Sequence, residues 1–187
     1  GTTLETAANL DNTIQLTGDG DISTTTDTVN LVVAQGQSST LSQVVKGDAG
    51  LIKSGTGTLT LHAANTYAGG TTVNAGKVIV DHATALGSGQ VVFKSGTELT
   101  TASAMSVENT LRLDGNMTLH SLANSTFTGN VSGTGNLTKD DVGTLHLEHA
   151  NTGYTGSITI SKGGLVVNNS SALGAGQAGQ LTLATGT

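Results

Sequence analysis

The feature that most constrains this chain is that it states one hydrophobic pattern twice. GLIKSGTGTLTLHAANTYAGGTTVNAGKVIV runs from Gly50 to Val80, and NLTKDDVGTLHLEHANTGYTGSITISKGGLVV runs from Asn136 to Val167. Aligned on Gly57 and Gly143, an offset of 86 residues, Leu59 and Leu61 fall on Leu145 and Leu147, and Asn65 falls on Asn151. One extra residue, Gly153, then shifts the register so that Tyr67 meets Tyr154, Gly76 meets Gly163, and Val78–Val80 meets Leu165–Val167. ALGSGQ from Ala85 answers ALGAGQ from Ala172. The copies occupy approximately residues 50–99 and 136–187, and the chain reads as a single β-helical segment, 1–187, excised from a longer protein.

Within each copy the hydrophobic period is two. In TLTLH, Leu59 and Leu61 point one way while Thr58, Thr60 and His62 point the other, as in a half-buried strand. QVVFKSG, TLRLDG and LTLATG read likewise, each ended by Gly, Asn or Asp. No stretch of twelve residues carries a helical apolar stripe. The pattern predicts an all-β chain of about 18 to 20 short strands. The 187 residues contain no Pro, which suits a chain made of paired strand and tight turn. Threonine excess points the same way, because its branched Cβ fits a pleated surface.

Sandwiches and barrels of hairpins expect Asn-Gly or Asp-Gly turns and several core aromatics. Asp114-Gly115 fits that turn signal, and the aromatics are Tyr67, Tyr154, Phe93 and Phe127. A propeller expects blades of about 40 residues with their own signatures. A parallel β-helix fits better, with coils of roughly 20–24 residues holding three short strands each. The offset of 86 residues then corresponds to about four coils, and the chain to a solenoid of about eight or nine. Coils about 4.8 Å apart make a rod on the order of 40 Å long. The narrow interior is expected to take Val, Leu, Ile and Ala, with little room for aromatics. Asn65 and Asn151 are candidates for tight corners where φ is positive.

The stretch Leu51–Val80 closely resembles the strand repeat of bacterial autotransporter passenger domains, and Ala85–Leu99 resembles the continuation of that repeat. The second copy departs from it: Asp140-Asp141-Val142 stands where a Ser-Gly-Thr stretch is usual, and Ser157-Ile158 replaces Gly70-Thr71. The copies cover somewhat over half the chain. The resemblance implies a right-handed parallel β-helix, exported across the inner and then the outer membrane to the bacterial surface. The absence of Cys suits a chain that crosses the outer membrane unfolded.

Composition excludes several functions. The net charge is −6, and the lysines are scattered singly beside one Arg, Arg112, so a phosphate-tracking surface for nucleic acid is not expected. No apolar run approaches the roughly 20 residues of a membrane span, and Gly1 opens directly into polar sequence with no signal peptide. No thiolate metal site is possible without Cys.

Candidate chemical motifs each have a plainer reading. GAGQAG at Gly174–Gly179 spells a dinucleotide fingerprint but precedes a strand, not the helix such a site needs, so its glycines read as repeat corners. HLEH at His146–His149 lacks the helix that would converge metal ligands; on a strand His146 and Glu148 share the outward face and His149 leaves it. Asp19, Asp21 and Asp27 lie close together without the spacing of calcium-binding β-roll repeats, which leaves an acidic loop. His62, His82 and His120 are isolated from one another in sequence. Asn-x-Ser/Thr occurs at Asn116, Asn124, Asn130, Asn136, Asn168 and Asn169, as expected by chance in this composition. No catalytic, cofactor-binding or metal residue is assigned, and no cofactor is expected.

The expected function is adhesion or cell–cell self-association through a polar outer face rich in Thr, Asn and Asp, as in self-associating passengers of the resembled family. The expected partner is the same protein on a neighbouring cell, or a host surface glycan or matrix protein. One alternative is a passive stalk presenting another domain. Another is a β-helical polysaccharide-degrading enzyme, which needs clustered carboxylates and aromatic platforms that the sequence does not supply.

Overall fold

The structure is a computed structural model describing residues 10–11, 22–24, 28–175 and 181–184. The described residues contain 21 short strands and no helix. Every pairing between named strands is parallel. Parallel neighbours cannot be joined by a hairpin, so the chain must travel elsewhere before it returns. Here it visits two other faces and comes back one coil further along.

The first face stacks seven strands: β1 (Leu10–Asp11), β3 (Val29–Val32), β6 (Leu51–Ser54), β8 (Thr71–Val73), β10 (Val91–Phe93), β13 (Leu111–Leu113) and β16 (Val131–Gly133). The second stacks eight: β4 (Ser38–Leu41), β7 (Thr58–Leu61), β9 (Lys77–Val80), β11 (Thr97–Thr101), β14 (Met117–Ser121), β17 (Leu137–Asp140), β19 (Ile158–Ile160) and β21 (Leu181–Leu183). The third opens with β2 (Ile22–Thr24) on β5 (Val45–Gly47) and continues with β12 (Met105–Val107), β15 (Ser125–Phe127), β18 (Thr144–Leu147) and β20 (Gly164–Val167). The Asn65 segment lies between those two parts and bonds to β5 through Thr66 N to Val45 O and Ala68 N to Gly47 O, both 2.9 Å. The chain is a parallel β-solenoid of about eight turns, as the parallel stacking of successive coils shows.

The coil length is legible in the register. Leu51 pairs with Thr71, Thr71 with Val91, Val91 with Leu111 and Leu111 with Val131, a step of 20 residues each time. This corrects the expectation that the 86-residue offset is four coils. Four coils beyond Leu51 lies Val131, still on the first face, and Leu137 comes six residues later, on the second. The first copy therefore places β6 and β8 on the first face with β7 and β9 on the second. The second copy places β17 and β19 on the second face with β18 and β20 on the third. The copies are alike locally and rotated by one face about the rod.

Alternation sorts the side chains as the sequence predicts: Leu59, Leu61, Val78 and Val80 are buried, and Thr58, Thr60 and Ile79 lie on the outer side of the same strands. The aromatic expectation is overturned. Tyr67, Tyr154, Phe93 and Phe127 are all buried in the core. Room for the tyrosines comes from glycine on the next coil: a Cβ at Gly87 would lie 2.6 Å from Tyr67 Cε2, and one at Gly174 would lie 3.1 Å from Tyr154 Cδ1.

Candidate interaction surface

Corners hold the coils in place and decide what the surface presents. Lys53 and Lys139 share the inward parity of their leucine neighbours, and each is fully buried. Lys53 Nζ donates to the carbonyls of Ser54 (3.0 Å), Gly55 (2.6 Å) and Ala75 (3.0 Å). Lys139 Nζ donates to those of Asp140 (3.0 Å), Asp141 (2.6 Å) and Lys162 (3.0 Å). An ammonium has three N–H donors and each here meets three acceptors. Burial pushes Lys53 down to about 8, so at neutral pH it still carries the proton that completes the set. Burial also lowers Lys139, against the pull of Asp141 and Asp140.

Asn65 and Asn151 do not have positive φ, contrary to expectation. Their role is to tie three coils together. Asn65 Oδ1 accepts from Val45 N (2.8 Å) and its Nδ2 donates to Ala85 O (2.6 Å). Asn151 does the same with Val131 N (2.7 Å) and Ala172 O (2.7 Å). Tyr67 and Tyr154 follow these asparagines inward; the Tyr67 hydroxyl bonds Thr71 Oγ1 (2.5 Å) and that of Tyr154 donates to Ser157 O (2.8 Å).

Outward, side chains one coil apart form ladders about 4.8 Å per step. On the second face Thr118, Thr138, Thr159 and Thr182 follow one another, preceded by Lys77 and Glu98. Charges are matched between coils. Lys94 and Arg112 both bond the Asp114 carboxylate, at 2.7 and 2.6 Å, and hold it below the usual carboxylate range. His62 pairs with Asp81 on the next coil, and His120 bonds Asp141 at 3.0 Å with Glu98 at 3.5 Å. Apart from Arg112 and Asp114, two residues apart at one strand end, sequence separation hid these pairs, because coil stacking joins residues 19 to 22 apart.

The remaining sequence candidates have structural positions of their own. His146 lies on the outer side of β18, the partly buried Glu148 accepts from Asn168 Nδ2 (2.7 Å), and His149 is exposed beyond the strand. No three metal-ligating residues converge among the described residues. Gly174 is a corner with φ of 97° stacked on Tyr154, matching Gly87 with φ of 70° on Tyr67. Residues 176–179 of the glycine motif lie outside the described residues, as do Asp19, Asp21 and Asp27. The sequon asparagines serve the corners: Asn116, Asn124 and Asn136 accept from backbone N–H groups of the next coil, at 2.9–3.0 Å.

One surface element was missed. Leu122 and Val142 are 50% and 79% exposed at the corner between the second and third faces. Away from the last coils they are the exposed large hydrophobics among the described residues. The available signal was the Asp140-Asp141-Val142 departure in the second copy, which puts an apolar residue where the first copy has Thr56.

Residues 51–80 and 137–167 match the family model of the passenger-associated-transport-repeat. The chain is similar to the adhesin BmaC autotransporter of Brucella suis biovar 1 (strain 1330), with 35% identity over 139 residues. That match covers 66% of this chain and 4% of the relative's length. No solved structure matches the chain.

Proposed function

The chain belongs to the autotransporter passengers that carry passenger-associated-transport-repeats and is exported to the extracellular surface, and from that premise we propose that it is a non-catalytic adhesive rod. The observation that carries this reading is the similarity to an adhesin autotransporter across 66% of this chain. The surface supports it physically. Rigid ladders of Thr, Asn and matched charges offer many weak contacts, which sum by avidity along a rod. Within this reading the partner is a second copy of the protein, and the chain is one stretch of a longer passenger. The stalk alternative draws on the same continuous hydrogen-bonded ladders, which also make a stiff spacer.

Beads coated with the purified chain test the reading. Bead–bead clustering is expected, at an extent that falls with salt. Beads that bind matrix protein or glycan surfaces but not each other would keep adhesion and discard self-association. Beads inert toward all three leave the stalk.

A further inference from the structure

The corner between the second and third faces carries a self-complementary ridge. Leu61, Val80, Thr101 and Ser121 are paired in turn on adjacent coils, so His62, Asp81, Ala102 and Leu122 follow one another along the corner. Val142 occupies the next coil and Lys162 the one after, where Lys139 Nζ joins the carbonyls of Asp141 and Lys162. Beyond His62, which pairs with Asp81, the ridge therefore reads acidic, apolar, apolar, apolar, basic along the rod. Leu122 stands two coils from Asp81 and two coils from Lys162.

We infer that this ridge is an isologous contact between two copies of the chain, antiparallel, with Leu122 on the two-fold axis; the inference rests on the self-association reading above. A two-fold axis there sets Asp81 of each copy against Lys162 of the other and Ala102 against Val142. A parallel arrangement would instead set Asp81 against Asp81 and Lys162 against Lys162, which repels. Antiparallel packing is also the geometry of rods reaching from opposed surfaces.

The ridge is rigid before contact, which lowers the ordering cost of binding. Asp141 holds φ of 73°, unusual for a residue with a Cβ, and its carboxylate bonds His120 at 3.0 Å. Asp140 takes Lys162 at 3.1 Å. The Lys162 side chain is 63% exposed and that of Asp81 is 32% exposed, so each can engage a second partner. The first copy has Ser54-Gly55-Thr56 at its equivalent corner, on a different edge of the rod, and builds no such ridge.

Sedimentation equilibrium at low salt on Asp81→Lys and Lys162→Asp variants, each alone and then mixed in equal amounts, tests this. The wild-type chain is expected to dimerise. Each variant alone places like charges together at both ends of the contact and should associate about tenfold more weakly or worse. The mixture restores opposite charges at both ends and should recover wild-type association. Val142→Lys, at a side chain almost free of packing, should weaken association without touching either charge. Variants that dimerise like the wild type, or a mixture that stays monomeric, would overturn the ridge and leave self-association standing on another face. A wild-type chain that remains monomeric at every concentration removes both.

Discussion

Lys53 and Lys139 lie on different faces of the solenoid, yet each ammonium sits in the same cradle of three carbonyls, two from its own corner and one from the corner of the next coil. The repeat thus preserves a corner, not a face. The residue after each cradle's second carbonyl differs, Thr56 in one copy and Val142 in the other, so the scaffold is repeated while the surface is not.

The cradle gives stability a pH signature. Lys53 has a folded pKa of about 8 against an ordinary value of 10.5, so between those values the unfolded chain binds more protons and stability rises with pH. Lys139 is shifted the same way. Burial acts oppositely on the tyrosines, raising Tyr154 to about 12 and raising Tyr67 as well. Above pH 10 the unfolded chain releases those protons first, and stability falls. Urea unfolding between pH 7 and 11 should show a rise from pH 8 and a turnover near 10. Lys53→Met should shrink the rising limb and Tyr67→Phe the falling one. A profile that falls steadily from pH 8 would contradict the cradle.

Asn65→Ala strands the Val45 N–H and loses the donor to Ala85 O, both buried. An unsatisfied buried group costs about 1–3 kcal/mol, so a loss in that range is expected from the urea midpoint. Asn151→Ala should match it, because the partners repeat. Asn116→Ala, whose bond to Asn136 N is exposed, should cost well under half as much.

Glycine substitutions separate backbone preference from packing. Gly36 and Gly87 have φ of 75° and 70°. Nothing lies within 4 Å of a Cβ at Gly36, so Gly36→Ala should cost only the left-handed penalty of about 1–2 kcal/mol. At Gly87 the Tyr67 ring and carbonyl are both 2.6 Å away, and Gly87→Ala should cost distinctly more. Equal thermal midpoints for the two variants would mean that the Tyr67–Gly87 contact is not tight.

Much of this was legible beforehand. Leu59 and Leu61 announce the strand and its buried side, and the short runs between glycines announce coils. Lys53 was equally announced by its parity with Leu51, but a charge at an inward position argues against burial unless acceptors are known to wait there. One of its three acceptors, Ala75 O, is 22 residues away. The four aromatics were misplaced for a similar reason: Gly87, which makes room for Tyr67, belongs to another coil.

Alternation, glycine placement and the doubled pattern by themselves determined the strands and their buried sides and pointed to the solenoid, because side-chain direction in a strand is fixed by local covalent geometry. The family came from the resemblance of the repeat. Only the tertiary structure decided which face each copy occupies, which cations are interior, and that Asp81, Leu122, Val142 and Lys162 share one ridge. Those outcomes depend on the number of residues in every coil summed along the rod. With 20 residues per coil against a repeat of 86, that sum turns the second copy onto a new face.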